Sequence, residues 1–371
     1  MPNKAAILIA AISGRSLAAA ARRAGFRPLV ADLFNDADTL ALADRAVKLP
    51  GSIENGIDPE HIVDTLSELA GNDAPAAMVY GSGFERRPDL IEAISRRFTI
   101  AGNTAATVRL VKDPVRLSHL CSQLAIPHPD IRLDPPHQTR HWLIKLCGGA
   151  GGSHVKPADA GRSHVGRYFQ RFIAGRNLSA LFLADGKAAH LVGFSRQWPS
   201  PSRESPFRYG GAVRLRRYDR AKTAEIKSWL SALTLRTGLV GLCSADFIDG
   251  ESGLHLIEIN PRPGATLDIF DCETTPLLRE HLRACSGSAI SVPVYEGSAA
   301  AAIAYTPNAI AAFPGIDWPS MTADHQISGT ALAAGDPVCT VFATASSAMA
   351  AERAVKSRIE EIAANWKGDF S

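Results

Sequence analysis

Between Cys243 and Asp268 the chain reads CSADFIDGESGLHLIEINPRPGATLD, and three oxygen-bearing side chains, Asp246, Glu258 and Asn260, interrupt two apolar runs. The alternation of apolar and polar residues predicts a β-hairpin. A three-residue closure, Glu251-Ser252-Gly253, supplies a glycine for the left-handed turn position. That closure sets Asp246 opposite Glu258, Ser244 opposite Asn260, and Ala245 and Phe247 opposite Ile259 and Ile257. One sheet face then collects two opposed carboxylates, which need a cation to offset their repulsion and desolvation. Oxygen ligands without His or Cys point to a hard ion, Mg²⁺ before Zn²⁺. Mg²⁺ held by one or two carboxylates commonly carries nucleotide phosphates too. The alternative is a solvated surface hairpin.

A second constellation lies upstream. The apolar segment 141–147 (HWLIKLC) predicts a strand with Lys145 near its end, followed by Gly148-Gly149-Ala150-Gly151-Gly152-Ser153-His154. Such a glycine run frees backbone N–H groups to wrap an anion that Lys145 also reaches. It is not a Walker loop, since no Gly-Lys-Ser/Thr follows. A flexible hairpin loop is the other reading. Gly81-Ser82-Gly83-Phe84-Glu85 stands at the carboxyl end of a predicted sheet, where open α/β sheets bind ligands, or is a plain connection. A dinucleotide site after the first strand needs G-x-G-x-x-G with a distal acid. The chain offers only Ser13-Gly14-Arg15-Ser16 with Asp32 beyond, so a nucleotide-binding oxidoreductase is the weaker alternative. His154 and His255 are read as packing residues.

The elements that must position these groups follow a clear order. Apolar runs at 5–12, 28–33, 46–49 and 76–80 alternate with helical segments, which predicts a parallel sheet covered on both faces. Helical pattern resumes from 104 to 124 and contains Lys112-Asp113-Pro114. Strands follow at 167–173 and as a hairpin, 178–184 with 188–194, across Asp185-Gly186. The stretch Gln197–Gly211 reads as an irregular substrate-facing loop, and Arg203, Arg208, Arg214, Arg216 and Arg217 make the region basic. A helix over 219–237 ends at Gly238, and short strands near 300–305 and 337–343 precede a helix over 346–365. The division expected is 1–103 as an N-terminal α/β domain, 104–288 as the central domain and 289–371 as a small α+β domain.

With 371 residues, more than one core is expected. Hydrophobic content of 46% and charged content of 21% describe a globular protein, and a net charge of +3 does not suggest nucleic-acid binding. Six cysteines without a CxxC pair read as thiols in a reducing compartment. The first apolar run reads as a buried strand instead of a leader, and no run approaches the roughly 20 residues of a membrane span. A cytoplasmic protein without nucleic-acid or membrane partners is expected.

Taken in order, Lys112, Lys145 with its glycine loop, Gln170 to Gly175, Asp246, and Glu258-Ile259-Asn260-Pro261-Arg262-Pro263-Gly264 resemble the ATP-grasp superfamily of carboxylate–amine ligases. The resemblance implies an α/β fold of ATP-grasp type, with an N-terminal parallel α/β domain and a small C-terminal α+β domain. It implies ATP and Mg²⁺ as cofactors. Lys112 and Lys145 would contact the phosphates under a loop formed by Gly149, Ala150, Gly151, Gly152 and Ser153. Gln170, Arg171, Phe172 and Ile173 would line the adenine slot, with Asn177 nearby. Asp246, Glu258 and Asn260 would hold the metal, and Arg262, with Lys145, would serve the reacting phosphoryl group. Arg171 and Asn177 stand where family members often place acidic residues. The layout is similar to ATP-grasp proteins of one-carbon cofactor synthesis, methanofuran-type tyramine–glutamate ligases among them. An ATP-dependent ligase with small-molecule carboxylate and amine substrates is therefore expected, glutamate being one acid candidate. An ATP-grasp carboxylase or purine-synthesis enzyme is the runner-up, and self-association as a homodimer is left open.

Overall fold

A computed structural model describes residues 4–159 and 165–367. The apolar runs at the start of the chain become β1 (Ala6–Ala11), β2 (Arg27–Asp32), β3 (Arg45–Lys48) and, beyond a small ribbon of β4 (Gly51–Ser52) with β5 (Gly56–Ile57), β6 (Ala77–Tyr80). They form a parallel sheet in the order β3-β2-β1-β6. Every residue of β1 is buried, as a strand covered on both faces requires. The covering helices are α1 (Arg15–Arg23), α2 (Ala37–Leu42), α3 (Ile62–Ala70) and α4 (Pro88–Ser95). Asp32, the residue a dinucleotide fingerprint would place on a ribose, is fully buried. Its carboxylate instead accepts the N–H groups of Gly14 (2.7 Å) and Asn35 (2.6 Å), so it fastens the first turn from within.

The helical stretch after residue 104 divides at Asp113-Pro114 into α5 (Ala105–Lys112) and α6 (Pro114–Gln123). Proline at the first helical position forfeits only an N–H that would have had no partner, and the Asp113 carboxylate caps Val115 and Arg116. Lys112 therefore ends a helix and extends beyond it. A small antiparallel sheet follows, in the order β7-β10-β8-β9, from β7 (Ile131–Arg132), β8 (Trp142–Leu146), β9 (Lys156–Pro157) and β10 (Arg167–Arg171).

The remaining long strands share one sheet. Its members are β11 (Arg176–Asp185), β12 (Ala189–Pro199), β13 (Tyr209–Leu215), β14 (Val240–Gly250), β15 (Gly253–Asn260), β16 (Ser298–Tyr305), β17 (Thr322–Ala323) and β18 (Pro337–Ala345). Their order is β15-β14-β11-β12-β13-β16-β18-β17. The C-terminal strands thus pair onto β13 across residue 288, and the C-terminal α+β segment extends the central sheet. Part of the stretch expected to be a substrate-facing loop is strand: β12 runs to Pro199 and β13 starts at Tyr209, so only 200–208 connects them. Helix α7 (Arg220–Thr237) is capped by Asp219 and by left-handed Gly238, and α8 (Leu267–Phe270), α9 (Leu277–Cys285) and α10 (Ala348–Lys367) complete the chain.

The sheets meet through buried polar clasps. Asn103 donates to the carbonyls of Val240 and Pro261 and accepts from the N–H of Val240, each at 2.9 Å. His281 on α9 accepts from the Leu242 N–H at 2.8 Å through Nδ1 and faces the Ala101 carbonyl at 3.0 Å through Nε2. One neutral tautomer satisfies both bonds, and burial lowers the imidazole pKa to about 4. Unfolding raises this pKa to the ordinary value, so the clasp's contribution is complete above about pH 6.5 and is lost as pH falls toward 4. We expect His281→Asn to destabilise the protein at pH 7.5, with that deficit shrinking by about 2 kcal/mol at pH 5. Urea titrations of both proteins at the two pH values measure it; an unchanged gap would contradict the assignment.

Candidate active site

The hairpin β14–β15 brings Asp246 opposite Glu258 and Ser244 opposite Asn260, as the sequence predicts, but by a different route. The turn is one residue shorter than expected: Gly250 pairs with Gly253 across Glu251-Ser252. Phe247 faces Leu256, not Ile257, because a β-bulge between the Phe247 and Asp246 pairs inserts Ile257 as an extra residue. The bulge switches sides along the strand. Leu254 and Leu256 sit in the core with Phe247, whereas Glu258 and Asn260 face the opposite way with Asp246. Bulges beside functional sites commonly re-aim side chains in this manner.

On that face the charges form a tight network. Asn260 Nδ2 donates to Asp246 Oδ2 at 3.1 Å and to Glu258 Oε1 at 3.3 Å. Its Oδ1 accepts from Lys112 Nζ at 3.0 Å, and Lys112 also donates to the Ile259 carbonyl and stands 3.7 Å from Glu258. Burial, followed by the Glu258 charge, pushes the Asp246 carboxyl up to about 7. Burial acts the same way on Glu258, but Lys112, Lys145 and His154 overcome it and hold that carboxyl well below the ordinary range. The lysines thus favour the charge on Glu258 more than that on Asp246, which has hydrogen bonds from Ser179 and Asn260 and a weaker pull from Lys112. The residues suit a divalent cation with oxygen ligands. Among the described residues no three His, Cys, Asp or Glu gather as a metal cluster.

Lys145 reaches the site from β8, where it is 5% exposed and lies 5.9 Å from the ring centroid of Tyr168. The glycine loop follows it and is docked at both ends. Gly148 has φ +68°, and a Cβ there would stand 2.6 Å from the Glu85 carbonyl oxygen. Gly152, also at positive φ, would strike the Phe207 carbonyl. These two positions therefore require glycine for backbone shape and for close approach. The Gly151 carbonyl accepts from the Tyr209 N–H at 2.8 Å, tying the loop to β13. His154 is more than packing: its Nδ1 accepts from the Leu146 N–H at 3.2 Å and folds the loop back on β8. Burial lowers its pKa to about 4, so it does this as neutral imidazole.

A cleft of ≈ 490 Å³ runs from this network between the small sheet and β15, with walls from α5, α6, β7, β8, β10 and the bulged strand. Val111, Leu117, Leu146, Tyr168, Leu256 and Ile257 give it apolar walls, and Lys112, Gly149, Gln170 and Glu258 line it as well. Gln170 is 2% exposed and its Oε1 has no hydrogen-bond partner among the described residues. An unpaired buried acceptor in an apolar slot suits a ligand with an N–H donor on a flat ring. Arg171, Phe172 and Asn177 are exposed and Ile173 half-buried, and none of the four lines the cleft. Arg171 lies over Trp142, 5.6 Å from its ring centroid.

Arg262 closes the other end. Its Nε donates to Glu85 Oε1 at 2.6 Å, and both side chains are buried. Glu85 also accepts from the Gly83 N–H at 2.8 Å; burial alone would raise its pKa, but Arg262 and then Lys112 hold it down. The Gly81–Glu85 loop is thus the support of Arg262, a role its sequence signalled only by its place after β6. The basic stretch is largely committed elsewhere. Arg208 donates to the carbonyls of Ser200 and Gly335 and stacks 3.7 Å from the Tyr305 centroid, while Arg214 serves the Ile269 and Gly297 carbonyls.

A two-lobed cleft floored by an acidic hairpin under a glycine loop defines the class, and the comparisons agree. Residues 115–266 match the ATP-grasp domain family, and the chain has the ATP-grasp fold. The biotin carboxylase domain of Hydrogenobacter thermophilus 2-oxoglutarate carboxylase, solved with MgADP and bicarbonate, superposes with a TM-score of 0.71 at 13% identity over 95% of this chain and 89% of that one. An L-amino acid ligase from Bacillus licheniformis gives 0.70 at 14% identity, over 97% and 98%. Among curated proteins, the tyramine–L-glutamate ligase of Methanocaldococcus jannaschii is 28% identical over 188 residues, 51% of each chain. The match therefore spans about half the length of that relative. Among the described residues no helix is long and apolar enough to cross a membrane.

Proposed function

We propose that the protein is an ATP- and Mg²⁺-dependent ligase joining a carboxylate to an amine through an acyl phosphate. The observation that carries this reading is the pair Asp246 and Glu258, opposed across the hairpin and bridged by Asn260, with Lys112 beside it. Asp246, Glu258 and Asn260 would hold Mg²⁺, which supplies charge neutralisation to nucleotide phosphates when bound. Lys112 and Lys145 balance phosphate oxygens, and the N–H groups of Gly149, Ala150, Gly151, Gly152 and Ser153 cradle them. Gln170 Oε1, buried without a partner among the described residues, would accept from the exocyclic amine of adenine in the apolar slot. Arg171, Phe172 and Ile173 would act at the hinge mainly through their backbones.

The chemistry asks little covalent work of the protein. A carboxylate oxygen of the acid attacks the terminal phosphorus, and the bond to ADP breaks. The neutral amine nitrogen then attacks the acyl carbon, a C–N bond forms, the C–O bond to phosphate breaks, and the departing phosphate takes up the nitrogen's extra proton. Arg262, fixed by Glu85, keeps an Nη group free among the described residues for the oxygens at this end. The docked glycine loop excludes water from the hydrolysable intermediate. The curated relative favours glutamate as acid and tyramine as amine. We expect ADP release to require Mg²⁺, an acid and an amine together, with the amide as product by mass spectrometry. ADP formation driven by bicarbonate without an amine would favour a carboxylase instead.

A further inference from the structure

A second cavity, ≈ 690 Å³, is lined in part by Pro263, Gly264 and Ala265, which follow Arg262. The turn after β1, the end of β6, the segment following Arg262 and the C-terminal strands all contribute to it. Arg15 sits in its wall, 6% exposed, and its guanidinium is held by two carboxylates. It binds Asp268 through two bonds of 2.6 and 2.7 Å and Asp324 through two of 2.9 Å. One cation between two carboxylates leaves the wall with one net negative charge, and the arginine has no pair of N–H groups left to clamp an anion. The hydroxyls of Ser13, Ser16, Ser82 and Tyr209 also line the cavity, and none hydrogen-bonds to another described residue. The rest of the wall is apolar: Leu17, Pro263, Ala301 and Ile303. Unspent hydroxyls and an excess carboxylate charge on an apolar surface describe a site for a small cationic molecule.

We propose that this cavity binds the amine co-substrate as its ammonium ion, and selects a primary amine with an apolar body and no carboxylate of its own. The proposal rests on the ligase reading and assigns the amine's place within it. Asp268 and Asp324 set the charge, the free hydroxyls accept from the ammonium group, the apolar wall takes the body, and the ammonium gives one proton to water before its nitrogen attacks. An α-amino acid would bring a carboxylate against two acidic side chains that no remaining cation balances. Tyr209 links the two cavities, since its N–H holds Gly151 of the nucleotide loop while its side chain lines the amine site.

The test is calorimetric titration of the full chain with MgADP present, using phenethylamine, phenylalanine and 3-phenylpropionate as cation, zwitterion and anion of one body. We expect phenethylamine to bind at least tenfold more tightly than either of the others, and Asp268→Asn to remove at least tenfold of that affinity. Should Asp268→Asn fail to fold, Ile303→Phe, which fills the cavity from β16, must weaken phenethylamine by a similar factor. Equal or tighter binding of the zwitterion or anion, no binding of any probe, or phenethylamine binding indifferent to the substitution overturns the proposal. Binding is read without turnover, so the two readings fail separately. Amine binding without ADP release from any acid would sink the ligase reading alone, and ligation of amino-acid amines would sink the amine-site proposal alone.

Discussion

Glu258→Gln is expected to cut the ligase rate by about 10²- to 10³-fold, equivalent to about 3–4 kcal/mol of lost transition-state stabilisation. The size follows from the charge balance of the hairpin face. Lys112, Lys145 and His154 hold the Glu258 carboxyl down against burial, whereas burial and the Glu258 charge push Asp246 up, so the glutamate is the stronger source of negative charge for a metal. An amide in its place keeps the shape and removes that charge. The Mg²⁺ concentration for half-maximal rate should rise together with the fall in kcat, which separates lost metal binding from general damage. The fold should survive, because the position faces the cleft and keeps 27% side-chain exposure. An unchanged rate and Mg²⁺ dependence would remove the hairpin from the site.

Arg262→Met carries the second large effect, with two parts that can be separated. Glu85 would keep a buried charge with its direct partner gone, and breaking such a pair from one side costs about 3–5 kcal/mol of stability. The rate should fall as well, since the free Nη group at the reacting end is lost. Adding Glu85→Gln removes the stranded charge and should restore most of the stability while leaving the rate low. If the double variant recovered activity along with stability, Arg262 would be a structural residue only. If Arg262→Met alone were as stable as the parent, the buried pair would not carry the weight assigned to it.

Much of the architecture was legible because it rests on periodicity. Continuous apolar runs gave the parallel sheet and Gly238 marked a helix end, whereas the break at Asp113-Pro114 lay unread inside a single helical stretch. The hairpin is more instructive. A turn one residue too long and a bulge not foreseen cancel, so the expected Asp246–Glu258 pair is found even though Phe247 and Ile257 are not partners. No pattern in a single strand announces a bulge, since the extra residue is defined only against the neighbouring strand. The same limit hid the contacts of Glu85 with Arg262 and of His154 with Leu146, which join residues through tertiary packing. Within the basic run 203–217, Arg216 and Arg217 lie exposed, whereas Arg208 and Arg214 are not a free charged surface. Arg208 and Arg214 spend their charge on backbone carbonyls and tyrosine rings, which composition does not reveal. The C-terminal strands likewise read as a separate unit, because sheet membership depends on which edge they meet.

The most direct test of the central claim follows an oxygen atom. With ATP, Mg²⁺, the amine and the acid labelled with ¹⁸O in its reacting carboxylate, an acyl-phosphate path transfers one labelled oxygen from the acid to inorganic phosphate. The account predicts singly labelled phosphate in step with amide formation. Amide formed with unlabelled phosphate, or label transferred with no dependence on Glu258, would contradict it.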